Sequence, residues 1–249
     1  MTYVKDNKVL GNCRLCHQLR PLQDSHILPE CVFRPAYDIT HTAIQIDIDQ
    51  SKKFKQQKGF WERLLCKECE GIFNKWETYF CRIWFHPTQR LRPLLLENNI
   101  VTIPGIQYTI FKLFHLSIIW RAGICSRPEF KNVRLGTQEE KIRKRLLAND
   151  PGDPDDYTMF GIAIRETETK NFQDKLLRAP EASRYHGHYV YNILFGGVFW
   201  YYWISSHRGG RIPINCIGRD GILTLAVQDW NENWSIQDLA KSIQKNLIR

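Results

Sequence analysis

Two cysteine pairs, Cys13/Cys16 and Cys66/Cys69, constrain this chain more than anything else in it. The two-residue gap within each pair lets both thiolates of one tight turn bind the same ion. Two such turns complete a tetrahedral four-thiolate site of the kind zinc occupies. Between the pairs lies Asp24-Ser25-His26-Ile27-Leu28-Pro29. A zinc ion at the cysteines would therefore staple a histidine-bearing segment into a closed loop.

The rest of the composition decides what kind of chain carries this staple. At 249 residues, 43% of them hydrophobic, with eight Trp, ten Tyr and thirteen Phe, it has enough apolar surface to bury a core in one large domain or two modest ones. That excludes wholesale disorder. Lys and Arg outnumber Asp and Glu by 35 to 26, a formal charge of +9. Four thiolates and one Zn²⁺ change this to +9 − 4 + 2 = +7, which is still basic. A basic surface raises the local concentration of polyanions and favours nucleic acid over acidic protein partners. The N-terminus, Met1-Thr2-Tyr3-Val4-Lys5-Asp6, has no apolar signal core, and Cys-x-x-Cys pairs in such a chain read as metal ligands. Cys31, Cys81, Cys125 and Cys216 read as buried thiols. The longest apolar run, Tyr189 to Ile204, is too short for a membrane span and is broken by Asn192 and Gly196-Gly197. The expectation is a cytoplasmic protein with no membrane partner.

Periodicity divides the chain into a cysteine-rich module (1–88), a proline-containing linker (89–105) and an α+β region (106–249). Ala43 to Asp49 alternates apolar and polar residues as a half-buried strand does. A basic loop with Lys52, Lys53, Lys55 and Lys58 follows, a candidate contact for phosphates. Phe73, Trp76, Phe80 and Trp84 recur at spacings of three and four, which predicts an amphipathic helix over 70–84, ended by Pro87. Further on, Thr109 to Ala122 reads as an apolar helix and Gly136 to Ala148 as a charged one. Tyr157 to Arg165 and Ile222 to Val227 read as strands. Tyr189 to Phe195 and Val198 to Ile204 flank Gly196-Gly197, a two-residue hairpin signal, because both glycines accept positive φ. The aromatic run on this hairpin reads as sheet core. Ser235 to Ile248 reads as a last amphipathic helix.

A first knuckle, a histidine about ten residues later and a second knuckle opening a helix together resemble the HNH family of ββα-metal nucleases. The resemblance covers residues 13 to about 80. It implies a zinc-braced ββα unit in which His26 acts as general base. A divalent cation, Mg²⁺ or Mn²⁺, would be held by Glu70 and Asn74 on the helix and by Asp24. Residues Glu70, Asn74 and Glu77 share a helix face by their spacing, and oxygen ligands suit Mg²⁺ or Mn²⁺ better than a second zinc. This sequence departs from the family in three respects. The helix carries Glu70 and Asn74 where the family more usually has a histidine pair, and no asparagine lies between Asn12 and Asn74 for the family's middle position. Ser25 stands directly before His26 where the family has an acid. Asp24 lies one place earlier, on the opposite face of a regular strand.

What the resemblance implies is a DNA endonuclease, an effector of bacterial anti-phage defence with a protein activator or partner from the same system. Two other functions fit the same residues: a zinc-containing nucleic-acid-binding module without catalysis, and an assembly adaptor built on the aromatic second half.

Overall fold

The computed structural model describes residues 2–4, 8–37, 43–47, 52–56, 59–96, 99–166, 168–169, 171–185, 188–204 and 216–230. These residues form an α+β fold with four α-helices and three sheets. The N-terminal part is an antiparallel sheet of β1 (Thr2–Val4), β2 (Lys8–Asn12) and β3 (Leu19–His26), extended on its far side by β6 (Trp61–Cys66). The first cysteine pair makes the turn from β2 to β3. Its backbone is closed by hydrogen bonds from Cys13 N to Gln18 O (2.9 Å) and from His17 N to Cys13 O (2.8 Å), with His17 at φ 60°. Between β3 and β6 come the one-turn helix α1 (Glu30–Phe33) and a separate hairpin, β4 (Ala43–Asp47) and β5 (Lys52–Gln56).

Strand β6 runs directly into α2 (Lys67–Phe85), three residues before the expected start. The second cysteine pair is the reason. Cys66 is the last strand residue and Cys69 lies in the first helical turn, where unbonded N–H groups favour negative charge. Glu68 and Glu70 occupy the same turn. The helix stops at Phe85, two residues before Pro87, because a proline disfavours helical backbone in the residue it follows.

The segment 89–105, a linker by its prolines, carries β7 (Leu94–Leu96) and β8 (Ile100–Ile103). The β-branched run Ile100-Val101-Thr102-Ile103 buries Val101 and Ile103 and pairs with a distant strand, so tertiary burial outweighs the local turn signals. Next come α3 (Tyr108–Ile124) and α4 (Gln138–Ala148), then β9 (Met159–Arg165), β10 (Arg178–Tyr185), β11 (His188–Phe195), β12 (Val198–Ile204) and β13 (Leu223–Asp229). The seven-stranded sheet has the order β10-β11-β12-β9-β13-β8-β7, with only β9 and β13 parallel. Gly196 and Gly197 turn the β11–β12 hairpin at φ 59° and 76°, as the sequence predicts. Strand β10 is too polar to read as a strand. It is an edge strand, and its register shifts at Pro180, where a residue without an N–H is tolerated. The expected helix over Ser235 to Ile248 lies outside the described residues. None of the described helices is long and apolar enough to cross a membrane.

A single apolar cluster runs from Cys13 to Val227 and joins residues on both sides of the 89–105 segment. Helix α3 is at its centre and is buried all round, as a core helix is. Phe114 stacks on Phe80 of α2 at 4.0 Å between ring centroids, and Trp84 meets Trp200 of β12 at 5.5 Å. The indole N–H of Trp84 donates to Gly196 O (2.9 Å), which ties the end of α2 to the hairpin turn. One expectation is corrected: Cys31 and Cys81 are not thiols but a disulfide joining α1 to α2, with Cα atoms 6.0 Å apart. The two positions lie too far apart in sequence for spacing to reveal the pairing.

The core also holds charge. Lys112 is buried on α3, donates to Asp153 O (3.1 Å), and burial lowers its pKa to about 8. Unfolded, it would hold its proton to about pH 10.5, so between these values the unfolded chain binds more protons than the folded one. Stability therefore rises as pH goes from about 8 to 10.5. Urea unfolding of wild type and Lys112→Met checks this: the variant lacks that rise and is more stable at neutral pH by about 1–3 kcal/mol. Thiol titration of the denatured, chelator-treated protein checks the disulfide. Six of the eight cysteines react before a reductant is added, and all eight afterwards.

Candidate metal centre and the carboxylate face of the helix

The four sulfurs of Cys13, Cys16, Cys66 and Cys69 lie within 4.8 Å of one another. Those of Cys16 and Cys66 are 4.0 Å apart, close to the roughly 3.8 Å edge of a tetrahedron with Zn–S bonds of about 2.3 Å. Cys13, Cys66 and Cys69 are buried. Backbone N–H groups point at sulfur, as Cys66 N does at Cys13 Sγ (3.3 Å). Burial pushes the Cys13 thiol up, but N–H groups of Cys16, Cys66 and Leu15 outweigh it and leave the pKa below the ordinary value. Burial pushes Cys66 up to about 11 and Cys69 higher still. A divalent cation reverses this preference by binding the thiolates. Donor type, spacing and enclosure all fit structural zinc. Second-half residues hold the first knuckle from outside. Arg143 of α4 donates to Leu15 O, and Arg14 pairs with Glu139 at 3.6 Å.

The candidate catalytic residues lie beside this centre. Strand β3 pairs with β6 through Leu22–Cys66, then Asp24–Arg63, Ser25–Glu62 and His26–Trp61, so β6 advances three residues where β3 advances two. This irregularity turns Ser25 inward and Asp24 outward. Ser25 is fully buried, accepts a hydrogen bond from Leu65 N (3.2 Å) and lies beside the Glu70 carboxylate. Asp24 is half-exposed and pairs with Arg63 at 3.1 Å. His26 ends the strand, partly exposed, opposite the exposed Trp61.

On α2 the three polar residues meet different fates. Asn74 is exposed and accepts a hydrogen bond from Thr78 Oγ1 (3.5 Å). Burial raises the Glu70 pKa, opposed by the charge of Arg121 and the Ser25 hydroxyl, and its Oε1 has no hydrogen-bond partner. Glu77 Oε1 lies 2.6 Å from Arg121 Nη1, an ion-pair contact without hydrogen-bond alignment. Arg121 comes from α3 and its side chain is wholly buried. It donates to Ser117 O and Ser117 Oγ (3.2 Å each) and to His26 O, and lies 5.3 Å over the Phe73 ring.

Among the described residues, the four cysteines are the one group of three or more His, Cys, Asp and Glu side chains whose ligand atoms converge. The structure does not bring the other expected ligands of a catalytic Mg²⁺ or Mn²⁺ together. Asp24 pairs with Arg63, Asn74 faces solvent, and Glu70 lies toward Ser25; Glu77, on the same helix, lies against the Arg121 guanidinium. A hard cation needs about six oxygens, and a fixed positive charge beside them repels it. Of the four candidate phosphate contacts, Lys52, Lys53 and Lys55 lie on β5, whose side chains are outside the described residues, as is all of Lys58.

Sequence reasoning missed Ser25 as the inward residue and Arg121 altogether. A signal for the second existed. A charged residue within an otherwise apolar helix must be paired, because an unpaired buried charge is too unfavourable to persist. Comparison with protein-family models, with curated proteins and with solved structures returns no match for this chain.

Elemental analysis of the purified protein is expected to give one zinc per chain. Serine at Cys13, Cys16, Cys66 or Cys69 removes the zinc and the cooperative unfolding transition together, since binding energy at such sites is folding energy.

Proposed function

We propose that this chain acts on DNA through a zinc-braced, HNH-like module that binds the nucleic acid without divalent-metal hydrolysis. The arrangement supporting an HNH-like reading is the antiparallel pair β3 and β6 leading into α2, with the four cysteines at the junction and His26 at the strand end. The observation that carries the non-hydrolytic reading is the dispersal of the oxygen ligands. Asp24 is tied to Arg63 and Asn74 lies at the surface, so neither joins Glu70. Phosphodiester hydrolysis of this type needs a base and a cation on the same phosphate, and a cation needs converging oxygens. Binding needs only position and charge, which the basic chain supplies.

A second reading is the endonuclease itself, with His26 as general base and an activator protein from a defence system. Two observations favour it: His26 is partly exposed, and Glu70 Oε1 has no hydrogen-bond partner. It requires the surroundings of Glu70 to rearrange.

Fluorescence anisotropy with labelled duplex DNA, beside plasmid incubation with Mg²⁺ or Mn²⁺, tests both readings. The expected result is intact plasmid and an affinity that falls about tenfold to a hundredfold between 50 and 200 mM salt, as for a few phosphate contacts. Cleavage abolished by EDTA and by His26→Ala would move the conclusion to the endonuclease. Absence of binding at low salt would overturn both and leave the assembly adaptor.

A further inference from the structure

The polar cluster between β3, α2 and α3 sets carboxylates beside a buried guanidinium. Two carboxylates, Glu70 and Glu77, stand two turns apart on one face of α2. Ser25 faces the first of them from β3. Ser25 holds the place directly before His26, where the HNH resemblance puts an acidic ligand. Here the strand supplies a neutral hydroxyl and α3 supplies a positive charge. We propose that Arg121 is the resident cation of this face and excludes a divalent ion from Glu70 and Glu77.

The contacts of Arg121 explain why it stays. Its guanidinium is fastened to its own helix through Ser117 O and Ser117 Oγ, to β3 through His26 O and to α2 through Glu77. The plane is supported by the Phe73 ring. No atom of the side chain reaches solvent, so it cannot swing out into water while α2 and α3 remain packed. A divalent ion entering beside it would face a like charge at short range in a low-dielectric setting. Arg121 also does the mechanical work that a metal does in such a unit, bracing strand to helix, because it holds the His26 main chain and Glu77 at once. Through the His26 main chain it acts as a positioning residue.

This inference relies on the HNH-like reading only for expecting a cation on this face, and its test is independent of DNA. Zinc-loaded full-length protein is titrated with Mn²⁺, and bound ion is read as loss of the free Mn²⁺ electron paramagnetic resonance signal. Wild type is expected to bind no Mn²⁺ up to about 1 mM, the weak end of protein oxygen sites. Arg121→Met, checked for zinc content and circular dichroism, is expected to bind one Mn²⁺ at about 0.1–1 mM, and Arg121→Met/Glu70→Gln to lose it. Binding by wild type that is lost in Glu70→Gln would overturn the proposal. So would a folded Arg121→Met that binds no more than wild type. If Arg121→Met does not retain zinc, the wild-type titration decides alone, since the proposal forbids a Mn²⁺ site there. DNA affinity separates the two conclusions, because loss of DNA binding with an unchanged Mn²⁺ result removes only the function proposed above.

Discussion

Helix α2 is held at its two ends by different chemistry, and the rest of the molecule is arranged around that fact. Its first turn is half of a four-sulfur cluster whose other half comes from the β2–β3 turn. Its last turn is fixed by Trp84, which bonds Gly196 and packs on Trp200 in the large sheet. A helix clamped in this way sets the distance between the small sheet and the large one. It also dictates which of its faces meets α3. The disulfide from Cys31 to Cys81 adds a third tie to the same helix, close to its second end.

Helix α3 fills the space that α2 leaves, and it brings charges into the core. Lys112, His115 and Arg121 are all buried on it, each with its own solution. Lys112 has a carbonyl partner and a lowered pKa. His115 is kept neutral, by burial first and by the charge of Lys112 second, and meets the Tyr202 hydroxyl at 2.8 Å. Arg121 is paired. A paired buried charge is weak evidence for added stability, but removing one partner leaves an uncompensated ion and is strongly destabilising. The cluster around Arg121 therefore specifies geometry. It requires β3, α2 and α3 to meet in one register.

The four-cysteine cluster, the helix behind it and the glycine hairpin were all legible in the sequence, because each rests on local spacing. Cysteines two residues apart, aromatics three and four apart, and two adjacent glycines each correspond to one backbone geometry. The strands at 94–103 and the edge strand β10 were not legible. Their pairing partners are remote, and their local composition is ordinary or polar. The candidate catalytic face was legible only as a helix face. Spacing placed Glu70, Asn74 and Glu77 on one side of α2 but said nothing of what would lie opposite.

By itself the sequence determined the four-cysteine scaffold, the enclosure of His26 within it and the period of each long element. Those properties follow from covalent spacing and backbone periodicity. Tertiary structure alone decided what faces the carboxylates of α2. An irregularity in the β3–β6 pairing turned Ser25 inward and Asp24 outward, and α3 carried Arg121 to the side of Glu77. Arg121 is far from His26 and Glu77 in sequence and meets them only through the packing of α3 against α2. No spacing rule connects residues that a shared core brings together.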